Sequence, residues 1–189
     1  MPDSIESTII GPLTQHASFE DWWESQPVPV PFFDDQPLVI VLSGAPAPTP
    51  ADVADLDDCL RNFLALGPAD RLAASDPVWA NYQEMVDAVG EEDLNVSLAA
   101  PAEVWAHVQP GEIHVSWRHR RDEDAYLSIE CGCDWEEEHG LQLVFRRGRM
   151  LTRVSQYDGH LTEADAYDRP DETDALLSAY NATFASSKK

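Results

Sequence analysis

The fold is decided by residues 126–148, which read YLSIECGCDWEEEHGLQLVFRRG. Apolar side chains occupy every second position on both sides of an acidic middle. Such alternation with a period of two is typical of β-strands that bury one face. The stretch therefore predicts two strands and a polar connection at residues 134–140. The alternating apolar residues are Leu127, Ile129 and Cys131 before the connection, and Leu141, Leu143 and Phe145 after it.

The same alternation continues on both sides of this stretch. Ile113, Val115 and Trp117 indicate a strand before it, and Arg147-Gly148 is a turn signal that leads into another strand. We therefore expect a four-stranded antiparallel meander across residues 112–158. Its loops are expected at residues 118–124, 134–140 and 147–149.

The first part of the chain carries a different pattern. Residues 1–36 alternate short apolar pieces with prolines, which predicts an extended lead-in, because proline fixes its own φ and biases the preceding residue away from helix. Residues 37–44, PLVIVLSG, form a continuous apolar run between turn residues. This run predicts a strand that is buried on both faces.

Helix signals follow this run. Thr49-Pro50-Ala51-Asp52 combines a capping residue, a proline at the first helical position and an acid at the positive end of the helix dipole. A second start at Asp76-Pro77 precedes an apolar stripe that ends at Gly90. The tail, residues 171–185, shows a third helical pattern. Asp55, Asp57 and Asp58 fall mostly on the outer side of the first helix.

These signals together predict one α+β domain over residues 1–189. The expected architecture is a four-stranded antiparallel meander with N-terminal strands, packed against two central helices and a C-terminal helix. The expected parts are the lead-in at 1–36, the strand and helical pair at 37–111, the meander at 112–158 and the last helix at 171–185.

The charge of the chain restricts its partners. There are 35 acidic and 12 basic residues, giving a formal net charge of −23. Such a surface repels phosphate backbones and anionic membranes, so we expect no direct binding to nucleic acid or to a membrane. It suits a basic protein partner. The arginines that cluster after residue 117 are expected to pair with the protein's own carboxylates.

The cellular location is predicted from what the sequence does not contain. Residues 1–20 have no basic start followed by an apolar run, and no apolar stretch is long enough to cross a bilayer. Three cysteines, two of them one residue apart, make a poor disulfide framework. We therefore expect a cytoplasmic protein, and no cofactor is predicted.

Reactive side chains are densest at residues 131–140. One interpretation is a metal-assisted enzyme in which Cys131, Cys133 and His139 bind a metal, with a nearby carboxylate as the fourth ligand. The alternative is structural, because Cys131 and Cys133 share the core face of a strand and small buried thiols are common. In that case Gly140 supplies a backbone conformation that other residues resist. His114, His119 and His160 are scattered and are expected at the surface.

The run Trp135-Glu136-Glu137-Glu138-His139-Gly140-Leu141 resembles a bacterial family of uncharacterised single domains, a domain of unknown function with a Trp-x-x-Glu-His-Gly-Leu signature. The resemblance extends upstream to the tryptophans at Trp22 and Trp23 and to the two-helix stretch. It implies no established activity. By analogy with small acidic α+β domains, it suggests an immunity-like or accessory role.

The function predicted from these observations is non-enzymatic binding of a basic protein. The expected binding surface combines the acidic connection with carboxylates of the first helix. The metal-assisted enzyme remains the alternative. The predicted surface residues are Asp134, Glu136, Glu137, Glu138, His139, Asp55, Asp57 and Asp58.

Overall fold

The computed structural model describes residues 4–119 and 121–184, and within them it has a mixed α+β fold built on one large sheet. The strands are β1 Ser4–Ser7, β2 Gly11–Gln15, β3 Trp23–Ser25, β4 Val28–Val30, β5 Gln36–Leu38, β6 Ile40–Leu42, β7 Val108–Trp117, β8 Ala125–Cys133, β9 Glu136–Arg146 and β10 Met150–Ser155. Their spatial order is β1-β2-β3-β6-β7-β8-β9-β10, and β4 and β5 form a separate pair.

The α-helices lie in two parts of the chain, residues 50–89 and 163–184. Short 3-10 helices add to them at Pro31–Phe33, Glu91–Asp93, Pro101–His107 and Asp171–Thr173. The α-helices are α1 Pro50–Phe63, α2 Pro68–Ala73, α3 Ser75–Val89, α4 Glu163–Ala166 and α5 Ala175–Phe184. Within the described ranges, no helix is both long enough and apolar enough to span a bilayer.

The start of α1 forms as its sequence predicts. Thr49 Oγ1 accepts a hydrogen bond from the Asp52 backbone N–H at 3.3 Å, and the Asp52 carboxylate accepts one from the Thr49 backbone N–H at 2.7 Å. These reciprocal bonds satisfy two backbone donors that have no partner inside the helix. The helix then begins with Pro50, whose missing N–H costs nothing there.

The crossover between β6 and β7 places helices on one face of the sheet, and this face carries the apolar core. Strands β6 and β7 are parallel, whereas the other paired neighbours in the sheet are antiparallel. A parallel pair requires a crossover connection, and residues 43–107 supply it with α1, α2 and α3. Phe63 of α1 packs edge-on against Phe145 of β9, with 5.1 Å between ring centroids. The core therefore lies between these helices and the sheet.

The other face of the sheet is polar and nevertheless buried. Ser128, Gln142, Arg146 and Arg153 lie there with little exposure, because residues 158–184 cover them. The Gln142 side-chain amide donates to the His160 carbonyl at 3.1 Å, and Arg146 donates to the Asn181 side chain at 2.9 Å. Hydrogen bonds and ion pairs thus hold the C-terminal segment, residues 158–184, on the sheet. Apolar contacts hold α1 and α3 on the opposite face.

The structure corrects three details of the predicted architecture. Strands β7 to β10 pair in chain order, but they are half of a larger sheet rather than a meander of their own. The lead-in supplies three further strands of that sheet, because β3 pairs with β6. The run at residues 37–44 divides between β5 and β6, which belong to different sheets.

The predicted loop at residues 134–140 is also shorter than expected. Only Asp134 and Trp135 form a turn, and β9 begins at Glu136. The register moves from Cys133 opposite Glu136 to Cys131 opposite Leu141, so the extra residues of β9 bulge out. At the C-terminus, Asp171–Thr173 is a 3-10 turn before α5, and Ala185 lies outside the described residues.

Candidate functional site

The two thiols of residues 131–140, the stretch densest in reactive side chains, lie in the core. Cys131 and Cys133 are buried on the face that packs against the helices, as the strand alternation predicts. Burial raises the pKa of both thiols, that of Cys133 to about 11. His139 lies on the bulge of β9 with more than half of its side chain exposed. The structure therefore does not bring the three predicted ligands into one donor set.

A metal centre requires several donors around one point. Across residues 4–119 and 121–184, no group of three or more His, Cys, Asp or Glu side chains is arranged to hold a metal ion. The geometry gives the metal-assisted alternative no support.

The carboxylates after Cys133 bind groups of the turn and of the segments beside it. Asp134 lies 2.8 Å from Nδ1 of His107 and accepts a hydrogen bond from Gln109 at 3.0 Å. Glu136 accepts hydrogen bonds from the backbone N–H groups of Glu138 and His139 at 3.0 and 2.7 Å. Three other features complete the turn: Glu137 accepts from Asn95, Trp135 donates to Asn81, and the Glu138 side chain is exposed.

The helix carboxylates occupy three different environments. Asp57 is 6 % exposed and accepts hydrogen bonds from Ser7 and Thr8, so the prediction that it faces solvent is wrong. It fixes the turn after β1 to α1. Asp58 pairs with Arg61 on the surface, and Asp55 accepts a hydrogen bond from the Trp117 indole at 3.2 Å.

The two halves of the predicted surface lie at opposite ends of β8. Asp55 contacts Trp117, which pairs with Ala125 at the start of β8, whereas Asp134 directly follows Cys133 at its end. At the usual rise of a strand, these ends are roughly 26 Å apart. The acidic turn and the acidic side of α1 therefore do not form one continuous patch.

A polar groove lies between α3 and the chain that follows β10. It has a volume of about 430 Å³ and brings together residues from four parts of the sequence. Tyr157 and Tyr167 are 44 % and 61 % exposed at its wall. Besides these rings, the charged and imidazole side chains that line the groove are Glu84 of α3, His139 of β9, Arg153 of β10, and Asp158 and Glu163 after it.

Arg153 lies beneath this groove. Its side chain is 2 % exposed, and its two terminal nitrogens donate to the two carboxylate oxygens of Asp158. The Nε atom has no hydrogen-bond partner among the described residues and lies 3.9 Å from a Glu163 oxygen. Because Asp158 already balances the charge of Arg153, the groove keeps the formal negative charges of Glu84 and Glu163.

The pKa of Glu163 reflects its burial and the charges around it. Burial raises it most, and the carboxylates of Asp174, Glu84 and Asp158 raise it further, while Arg153 lowers it; the pKa ends above its ordinary value. A cation in the groove would relieve this repulsion. The guanidinium of Arg169 lies 4.8 Å from the centre of the Tyr167 ring, which shows that this tyrosine can bind a cation on its ring.

A model of one protein family, a domain of unknown function (DUF6985), matches residues 9–161. The chain belongs to this family. The predicted membership of an uncharacterised domain family is thereby confirmed. No curated protein matches the chain. No solved structure matches it.

The DUF6985 match includes the large sheet from β2 onward and ends before Thr162. Arg118, Arg146 and Arg153 belong to the matched part, whereas most of the groups that bind Arg118 come from the C-terminal segment. The expected pairing of the clustered arginines with the protein's own carboxylates is observed for these three. These basic side chains are therefore not free to bind an external anion.

Sequence reasoning did not identify most of the groove of this DUF6985 protein. Glu84 and Glu163 are 79 positions apart, and each looks like an ordinary surface acid in the sequence. Tyr157 and Arg153 fall on a predicted strand whose partner across the groove, α3, cannot be deduced from periodicity. Only His139 was expected at a functional surface. The sequence does show the excess of acids over bases, but an overall charge does not locate a site.

Proposed function

We propose that the protein is a cytoplasmic, non-enzymatic DUF6985 domain that binds a basic protein partner in an accessory or immunity-like role. The partner class is the one that the sequence indicates. The proposed surface is the groove between α3 and the chain after β10, in place of the acidic turn. The observation that carries the proposal is the excess of acids over arginines at this groove: Glu84, Asp158 and Glu163 line it with Arg153, whose terminal nitrogens are bonded to Asp158.

The size and composition of the groove fit a short protein segment. A volume of about 430 Å³ lies within the usual range of ligand pockets, which is roughly 300–1,000 Å³. Exposed tyrosines are typical of the centres of protein interfaces, where their rings contribute area at low entropic cost. The carboxylates select lysine or arginine, and the net charge of −23 attracts a basic chain over a long range.

The acidic turn is less suited to the same role. The carboxylates of Asp134, Glu136 and Glu137 already accept hydrogen bonds from the protein itself. A partner would have to compete with those donors. Among the residues that the structure describes, Glu84 and Glu163 have no such competitor apart from the Nε of Arg153, which lies 3.9 Å from Glu163.

Two variants of equal charge separate the groove from the turn. Glu84→Gln with Glu163→Gln removes two charges from the groove, and Glu137→Gln with Glu138→Gln removes two from the turn. The probe is a fluorescein-labelled oligolysine peptide, measured by anisotropy, with an oligoarginine peptide as a second probe. We expect the groove variant to bind about tenfold more weakly or worse, while the turn variant stays within about twofold of the wild type.

Each alternative result identifies a different failure. Equal losses in both variants would mean that only net charge attracts the peptide. A loss confined to the turn variant would place binding at Glu137 and Glu138. Absence of binding by the wild type at low ionic strength, where screening is weakest, would contradict the proposal altogether.

A further inference from the structure

A second, smaller cavity opens on the polar face of the sheet, away from the α3 helix. Its volume is about 160 Å³, and it lies between the loop that carries Trp22 and the chain after β10. Strands β7 and β8 form its floor with His114 and Glu130, and Tyr157 closes one wall. His114 is 9 % exposed, so the prediction that it lies at the surface is wrong.

The Nε2 atom of His114 is buried without a normal hydrogen bond. Its Nε2 atom has no partner among the described residues, although carboxylate oxygens of Glu112 and Glu130 each lie 3.6 Å away. Buried polar atoms are nearly always satisfied, so such an atom in a native site requires an explanation. With its proton on Nδ1, the imidazole offers Nε2 as an acceptor beside the Glu112 and Glu130 carboxylates, and these three acceptors match the three N–H donors of a primary ammonium.

The walls of this cavity also favour a cation. Trp22 lies edge-on to His114 with 4.9 Å between ring centroids, and Tyr157 presents a second aromatic ring. Burial raises the pKa of Tyr157 to about 12, and the carboxylate of Glu130 contributes, so the ring stays neutral at pH 7. Aromatic faces attract ammonium groups, most strongly where water is excluded. Among its described lining residues the cavity has no lysine or arginine that could already supply the positive charge.

The volume limits the size of the ligand. At about 160 Å³ the cavity is smaller than typical pockets for nucleotides or drug-sized molecules, which start at roughly 300 Å³. We propose that this cavity binds a primary alkylammonium group between Trp22, Tyr157 and Glu130, with His114 as one of its hydrogen-bond acceptors. The group belongs either to a free small amine or to one lysine side chain of another protein. This inference does not depend on the proposed function of the groove.

The test follows the His114 ring directly by NMR on full-length protein that contains ¹⁵N-labelled histidine. Ethylammonium is the probe for a free amine, and Nα-acetyl-lysine-N-methylamide is the probe for a lysine side chain, each compared with sodium chloride of equal ionic strength. We expect a saturable change in the His114 signals with at least one of them, and the tighter probe identifies the source. Tetramethylammonium, which has no N–H donor, is expected to bind about tenfold more weakly or worse.

Matched variants locate the binding. Glu130→Gln removes a carboxylate of the cavity and is expected to weaken the tighter probe about tenfold or more, whereas Glu138→Gln removes an exposed charge outside it and leaves affinity within about twofold. The titration of the wild type decides the matter even if a variant folds poorly. The inference is overturned if neither ammonium probe shifts His114 saturably, if tetramethylammonium binds equally well, or if folded Glu130→Gln binds like the wild type.

Discussion

Arg118 and Asp165 form a two-point ion pair that joins the end of β7 to the C-terminal segment. Nε and Nη2 of Arg118 donate to the two carboxylate oxygens of Asp165 at 2.7 and 2.8 Å, and Asp171 accepts a second pair of bonds at 2.8 and 2.7 Å. The Arg118 side chain is 2 % exposed. Asp165 and Asp171 lie beyond the matched family segment 9–161, so this arginine attaches the remaining chain to the DUF6985 domain.

Replacing this arginine should therefore destabilise the protein strongly. Arg118→Leu leaves Asp122, Asp165 and Asp171 close together without their shared cation, and loss of one partner of a buried ion pair costs about 3–5 kcal/mol. Urea denaturation measures the change in the free energy of unfolding. Arg61→Leu is the matched control: its pair with Asp58 is exposed, so the loss should stay below about 1 kcal/mol. Equal effects of the two variants would contradict this account of the C-terminal segment.

The same ion pairs should make stability sensitive to acid. Burial raises the pKa of Asp158, but hydrogen bonds from Arg153 and from the His160 backbone outweigh it and bring the pKa to about 2. Bonds from Arg118 likewise hold the pKa of Asp165 and Asp171 below the ordinary value. A lowered folded-state pKa gives stability that is present above the unfolded pKa, near 4, and is lost as the pH falls.

We therefore expect the free energy of unfolding to fall between about pH 4 and about pH 2 in the wild type. Arg118→Leu should show a shallower fall, because Asp165 and Asp171 lose the strongest interaction that lowers their pKa, although Arg121 still lowers both. Urea titrations at a series of pH values measure both slopes. Parallel curves for the two proteins would show that Arg118 does not set the acid response.

Gly140 should resist substitution. Its φ is +64°, and a Cβ at this position would overlap the carbonyl oxygen of Cys131 on the neighbouring strand. Gly140→Ala thus combines backbone strain of about 1–3 kcal/mol with a clash against rigid backbone. Gly44→Ala is a matched control, because Gly44 has φ +79° but nothing within 4 Å of the added carbon. Thermal unfolding should rank Gly140→Ala as clearly the less stable, and the reverse order would refute the proposed clash.

The three cysteines should react slowly in the folded protein. Cys59, Cys131 and Cys133 are all buried, and burial raises the pKa of each thiol. A protonated, inaccessible thiol is a poor nucleophile. Labelling with Ellman's reagent at pH 8 should therefore be slow until urea unfolds the chain, when all three thiols react. Rapid native labelling of Cys131 or Cys133 would instead restore a reactive role for the dense stretch.

Local patterns determined much of this fold. The alternation of residues 126–148 predicted strands β8 and β9, because burial of every second residue can be recognised without knowing the strand's partners or the topology. The capping residues around Thr49 placed α1, since the bonds that start a helix lie within a few residues of each other. The burial of Cys131 and Cys133 followed from the same alternation.

Pairing between distant segments could not be predicted from the sequence. Nothing local indicates that β6 lies parallel to β7, and this single pairing joins the lead-in strands to the meander. The environment of Asp57 depended on Ser7, fifty positions earlier, so helical periodicity alone placed it wrongly. The His114 cavity required Trp22 and Tyr157 to meet across the sheet.

The sequence by itself therefore determined strands β8 and β9, the start of α1 and the excess negative charge. Only the tertiary structure decided where uncompensated charge remains. The acids of the turn and the arginines after residue 117 are largely satisfied by contacts within the protein, whereas Glu84 and Glu163 face a groove together. The physical reason is that periodicity and capping act between neighbours in the chain, while the balance of charge in a site depends on side chains that only folding brings together.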